Sequence, residues 1–342
     1  MSISDTKSPA AFLQYSHTIG LSTMQGRGFY YPVDTVMGKD GHLYTVSRSL
    51  EGDNRGVRVT EYGLDGEYFR VFGHYGKDDG QLIWPTAITV DKEGRIYVGD
   101  EETQRITVLD SSGRFVDKWG AHGTGPGEID GPSGLAFDRD DNLFVVDHKN
   151  NRVQKFTKEG RFLSGFGSEG SGDGEFNLPW GVTVDAKGDV YVADWRNDRV
   201  QRFSSDGEYL AKYGSSGRGD GEFNRPASVA VDGDGYMYVA DWGNERVQVL
   251  DPEGGFVMKL RGQATLSTWA EDFLRINVEE AEARAKSNLE PELEFWDDDP
   301  HDESSHIEKY FWAPVSVKLD AEGRLYVTES NRHRVQVYQR AV

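Results

Sequence analysis

The side chains best suited to chemistry in this 342-residue sequence fall into three groups. An acid and an arginine recur five residues apart, from Asp100 with Arg105 to Glu329 with Arg334. Histidines stand at loop-like positions (His148, His301, His306, His333), and tryptophans accompany Asp34 and Arg48. A carboxylate beside a guanidinium can hold an ionic ligand, but a pair present in almost every repeat is expected to be scaffold, linking a strand end to its neighbour. The histidines form no zinc-ligand spacing. With no cysteine in the chain, a thiolate metal site or nucleophile is excluded. There is no GxSxG elbow, phosphate loop or dinucleotide fingerprint. The acidic turns at 138–142 (DRDDN) and 232–235 (DGDG) lack the twelve-residue ligand spacing of a calcium hand and read as hairpin turns, where Asp and Gly are favoured anyway. Arg-Gly-Asp at 218–220 reads as part of a linker.

The elements that position these residues come from an internal repeat. The stretch VYVADWRNDRVQRF at 190–203 is copied as IYVGDEETQRITVL, LFVVDHKNNRVQKF, MYVADWGNERVQVL and LYVTESNRHRVQVY. Arg105, Arg152, Arg199 and Arg246 are spaced by 47 residues, and Arg334 follows 88 further on. A period of this length announces a repeat architecture. Each copy has a Pro-led apolar segment, a second strand ending in Asp or Glu, a short polar loop, a third strand opening on Arg, and a fourth ending in aromatic-Gly. Apolar residues alternate and Asp/Gly pairs separate the runs, so each copy predicts four short antiparallel strands, one propeller blade.

The motif D-x-x-N-x-R-V-Q, with YVA before it and a GxGxGEFNxP linker after, resembles the NHL-repeat family of six-bladed β-propellers. Asp194, Asn197, Arg199, Val200 and Gln201 match it, as do Asp241, Asn244, Arg246, Val247 and Gln248. The resemblance implies an all-β, six-bladed fold and leaves the chemistry open, since such propellers serve several functions. A six-bladed relative, the peptidyl-hydroxyglycine lyase, carries zinc-binding histidines directly after the proline-like position of its blades. The matching residues here are Val33, Thr86, Ser133, Trp180, Ala227 and Val315, so that zinc set does not carry over. A metal ion in the central channel stays open as a cofactor, without a ligand motif.

Blades begin at Pro32, Pro85, Pro132, Pro179, Pro226 and Pro314, each with an apolar anchor three residues earlier. The last repeat stops after its third strand, and residues 12–20 look like a fourth strand without its predecessors. The N-terminal strand is therefore expected to complete blade six, closing a single domain over 12–342 and removing two open sheet edges. Two insertions interrupt the period, at 47–56 and over 263–311. The second is expected to hold a helix, with Thr268 and Glu271 at capping-box spacing and a stripe of Leu274, Val278, Ala281 and Ala285. After it comes an acidic stretch containing Phe295 and Trp296. Both insertions should emerge on the face that carries the inter-blade loops and roof the sector of blades six and one.

A formal net charge of −20 repels polyanions, and no basic cluster offers a phosphate-binding face, so nucleic acid is not an expected partner. No stretch is apolar enough to span a bilayer and no leader pattern opens the chain, so no membrane partner is expected and the cytoplasm is the expected compartment. A small molecule or peptide is the expected ligand, with a protein partner open. The candidate site lies at the channel mouth on the loop face, under the insertion: Asp34, Arg48, Tyr31, His148, Trp180, Trp195, Arg225 and Trp242. Asp34 stands where other blades carry Ala87, Gly134, Gly181, Ser228 or Ser316, and is expected to pair with Arg48 or a ligand. Aromatic side chains at a pore mouth suit stacking on a flat or sugar-like ligand. A lyase or hydrolase acting in the same pocket is the alternative to a binding propeller.

Overall fold

The computed structural model describes residues 12–50, 53–292 and 299–341. Six four-stranded antiparallel sheets are arranged as blades. Blade four shows the pattern: strands Val182–Val184, Val190–Asp194, Arg199–Phe203 and Tyr209–Tyr213 follow one another from the channel outward. Blade six consists of Pro314–Leu319, Leu325–Glu329, Arg334–Arg340 and, as its outer strand, β1 (Leu13–Ile19). β1 runs antiparallel to Arg334–Arg340 from Leu13 opposite Arg340 to Ile19 opposite Val335, so the chain's two ends close the ring as the strand count required.

Alternation within each strand sends apolar side chains into the gaps between neighbouring blades. One such layer joins Phe144, Val146 and Val153 of blade three to Phe176, Val182, Val190, Val192 and Phe203 of blade four. The anchors Phe29, Leu82, Ile129, Phe176, Phe223 and Phe311 are completely buried. Burying a side chain of this size stabilises by roughly 1.5–3 kcal/mol.

Two polar devices repeat with the blades. The first is an arginine clamp. Arg199 donates to the carbonyls of Ser171, Gly172 and Glu175 at 2.7–2.9 Å and binds Asp194 at 2.9 Å. Arg152 and Arg246 copy all four contacts. Arg105 reaches the carbonyls of Lys77, Asp78 and Gln81, whereas Asp100 is occupied by the amides of Ile83, Trp84, Glu102 and Thr103. Thus the arginine's shared task is to pin the preceding linker, and the ion pair is added in blades three to six.

The second device joins neighbouring blades at every junction except that between blades one and two, where the Trp84 amide bonds Asp100. A left-handed residue before the third strand (Gln104, Asn151, Asp198, Glu245, His333) accepts the amide N–H of the residue before the following blade's proline. The donors are Gly131, Leu178, Arg225, Ala313 and Tyr31 in turn, at 2.6–2.9 Å.

The second insertion departs from expectation. Ser267, not Thr268, caps α1 (Thr268–Ile276) by accepting from the Ala270 amide. The helix breaks at Asn277 and resumes as α2 (Val278–Lys286). The proposed stripe is not a buried face, since Val278 is 60% exposed. The anchor is Trp269, fully buried among Phe29, Tyr62 and Tyr68 and donating its indole N–H to Gly66 O. Gly66 lies in the hairpin between the two outer strands of blade one, and Thr265 bonds Tyr15 of β1. α1 therefore wedges into the outer cleft between blades six and one. α3 (Pro300–His306) rests on the loop face against the Trp242–Asn244 turn. Phe295 and Trp296 lie outside the described residues.

Candidate functional site

The antiparallel order puts the loops between second and third strands and the inter-blade linkers on one face, where each repeat presents one residue just after its second strand. In blades one to five these are Arg48, Glu101, His148, Trp195 and Trp242. Three-residue 3-10 turns begin at His148, Trp195 and Trp242 and fix where those side chains start.

Arg48, Trp180, Trp195 and Trp242 line one cavity of about 160 Å³, together with Val33, Thr86, Ala227 and Val315. The last four and Trp180 all directly follow the first proline of their blades, so they ring the inner end of the channel. The rings of Trp195 and Trp242 lie 6.2 Å apart at 46°. Arg48 lies over the Trp84 ring at 4.8 Å, and burial pulls its guanidinium pKa below the usual value. The cavity can therefore offer flat apolar surfaces and one cationic fork.

His148 sits behind this lining, and the exposed Arg225 lies on its rim. His148 is buried, its ring 5.1 Å from that of Trp180. It occupies space left by Gly131, where a Cβ would come within 2.4 Å of the imidazole. Neither ring nitrogen has a hydrogen-bond partner among the described residues. Nε2 is 3.5 Å from Glu101 Oε1, whose carboxylate also meets Lys149 at 2.9 Å. His148 and then Lys149 hold the Glu101 carboxyl down to about 2. Arg225 covers Trp195 at 5.0 Å.

Asp34 and Tyr31 are placed differently from the expectation. Asp34 lies deeper in the channel, level with Gly134, Gly181, Ser228 and Ser316. Its oxygens accept from the Thr35 and Ile88 amides at 3.0 Å and from Ser316 at 2.5 Å, and Lys318 approaches to 3.5 Å. Its partners are thus Ser316, Lys318 and backbone rather than Arg48, and the carboxylate ties blades six, one and two together. Tyr31 packs edge-on to His333 at 4.7 Å, at the closure of the ring.

Among the described residues, no part of the 263–311 insertion lines the cavity. The described part of the insertion meets this face beside the cavity: α3 is held there by His301, which bonds Glu245 at 2.5 Å and accepts from the Trp312 indole at 3.2 Å. Burial raises the Glu245 carboxyl to about 7, and His301 opposes that rise. Among the described residues one group, Asp40, His42 and Glu61, has metal-ligand atoms close together, on the opposite, hairpin-turn face. Glu61 is already engaged by His42 at 2.8 Å and Arg70 at 2.5 Å.

The NHL repeat family matches over residues 82–109, 130–156, 176–203, 223–250 and 311–338. The protein is an NHL-repeat propeller. The five matched segments fall in blades two to six of the NHL ring; blade one carries the first insertion and has Ser47 where the others end their second strand in Asp or Glu. A search of curated proteins finds no match to the sequence. Among solved structures, a streptogramin B lyase is similar over 98% of this chain and 100% of its own, with a TM-score of 0.56 and 12% identity. A catalytically inactive virginiamycin B lyase from Staphylococcus aureus with quinupristin is similar over 96% of this chain and 98% of its own (TM-score 0.56, 10% identity). A Bacteroides thetaiotaomicron protein of unknown function is similar over 96% of this chain and 75% of its own (TM-score 0.61, 19% identity). At these identities the likeness is one of fold.

The lining residues that the candidate set missed are Val33, Thr86, Ala227 and Val315. Their signal was present, because each follows a blade-opening proline, as Trp180 does. The blade-to-blade acceptors were hidden by their variety: Gln, Asn, Asp, Glu and His share a task that depends on one left-handed backbone position.

Proposed function

We propose that this NHL-repeat propeller is a binding protein for a small molecule, held at the loop-face mouth of its central channel. The observation that carries this reading is the convergence of Trp180, Trp195 and Trp242, with Arg48, on one cavity. These residues come from blades one, four and five, and the repeat pattern requires none of them. A volume of about 160 Å³ is below the range of roughly 300–1,000 Å³ for drug-sized ligands, which favours a fragment-sized molecule over a peptide. The test is a small-molecule library screened by tryptophan fluorescence against the native protein, Trp195→Ala and Trp242→Ala. Hits should weaken in both variants while melting temperatures stay close to native. Hits indifferent to both substitutions contradict the reading.

A second reading, a lyase or hydrolase acting in the same cavity, is favoured by the half-buried Glu101 and buried His148 beside it. Two proteins of similar fold are a streptogramin B lyase and a catalytically inactive virginiamycin B lyase with quinupristin. Incubation with quinupristin followed by chromatography and fragment-ion mass spectrometry tests this directly: a new species, isomeric if elimination opens the ring or heavier by one water if it is hydrolysed, supports catalysis, and unchanged retention and fragmentation favour the binding protein.

A further inference from the structure

The charge distribution around the mouth identifies the kind of molecule it takes, on the reading that the cavity is a small-molecule site. The chain carries a net charge of −20, and most of its arginines are engaged by carboxylates or carbonyls. Three at the mouth differ. Arg48 lines the cavity, and its guanidinium makes no hydrogen bond or ion pair with the described residues. Arg196 and Arg225 on the adjacent rim lie against Trp195 at 5.7 and 5.0 Å, again without a carboxylate on the guanidinium among the described residues. Glu101, whose charge favours that of Arg48 without bonding it, is itself paired with Lys149 at 2.9 Å.

A guanidinium desolvated against an indole and left without an anion costs stability, a cost that an anionic ligand offsets. Its planar fork matches a carboxylate in two parallel hydrogen bonds. The rest of the lining, Val33, Thr86, Ala227, Val315 and the tryptophans, carries no charge. We infer that the mouth selects a small organic anion with a flat apolar body, an aryl carboxylate, its carboxylate on Arg48 and its ring among Trp180, Trp195 and Trp242. Arg196 and Arg225 add a local positive field that guides the anion past an otherwise acidic surface.

The test compares phenylacetate and benzoate with their uncharged amides, phenylacetamide and benzamide, by titration calorimetry on the full chain. The acids should bind about tenfold or more tighter than the amides, because a charge-assisted pair is about twice as strong as a neutral one. Their advantage should shrink as salt is raised. Arg48→Gln should bring acid and amide to similar affinity, while Trp195→Ala weakens both alike. Circular dichroism of each variant establishes that it is folded, and Arg48→Lys should keep part of the preference. Equal binding of acid and amide by the native protein, or a preference that survives in Arg48→Gln, overturns the anion assignment and leaves the cavity reading intact. Failure of all four probes to bind, or binding unaffected by Trp195→Ala, overturns the cavity reading itself.

Discussion

Replacing Arg199 by alanine separates the two tasks of the repeated arginine, because Arg105 supplies an internal control. Arg199→Ala removes three hydrogen bonds to the linker carbonyls of Ser171, Gly172 and Glu175 and the ion pair to Asp194. Asp194 is completely buried. It would retain the Asn177 amide, Asn197 and Gln201 as neutral donors at 2.9–3.1 Å, with no cation. Breaking a buried pair by removing one partner costs about 3–5 kcal/mol. Arg105→Ala removes the equivalent carbonyl contacts but uncovers no carboxylate, since Asp100 is held by four backbone amides. Its cost should be about 1–3 kcal/mol, that of a few hydrogen bonds at sites water can reach. The two variants should therefore differ by about 2 kcal/mol in urea unfolding at neutral pH. Adding Asp194→Asn to Arg199→Ala should recover part of the loss, because the uncompensated charge is then gone. Equal costs for Arg199→Ala and Arg105→Ala, with no recovery in the double variant, would refute the reasoning.

Deleting residues 1–20 should lower the melting temperature and promote aggregation, because it strips β1 from Arg334–Arg340 and exposes a sheet edge; unchanged melting and solubility would contradict the closure. Burial lowers the His333 pKa to about 4, keeping the ring neutral so that Nδ1 accepts the Tyr31 amide. A depressed pKa means the contribution is complete above the ordinary histidine value near 6.5 and is lost as pH falls toward 4, by up to about 3 kcal/mol. His333→Asn, the residue blade three uses at this position, should flatten that part of the stability profile; an unaltered slope assigns it to another group. Trp269→Ala should cost about 3–5 kcal/mol as a large core deletion and leave ligand affinity at the mouth unchanged, since α1 lies in the outer cleft. A selective loss of affinity would restore the lid.

Strand order, blade count and closure were legible because they rest on a period, and a period repeats its evidence in each blade. The clamp arginines were legible as scaffold for the same reason, although the sequence pointed to the ion pair and the structure gives first place to linker carbonyls. Asp34 misled, because an acid in place of a small residue looks like a ligand group until Ser316 and Lys318 are seen to meet it from the neighbouring blade. The insertion was the least legible part. Its apolar stripe suggested one amphipathic helix, but Asn277 splits it and a single tryptophan outside the stripe does the anchoring. Insertions have no repeat to confirm them, and the docking partners of α1 lie two hundred or more residues away in sequence, as Gly66 does from Trp269 (203 residues).

The most direct test of the central claim is crystallographic fragment soaking of the full chain at high occupancy. Fragments are predicted to gather at the loop-face mouth, against Trp180, Trp195 and Trp242, with anionic members placing a carboxylate at Arg48. Fragments that leave this cavity empty and gather instead on the hairpin-turn face, around Leu64 and Leu319, would contradict it.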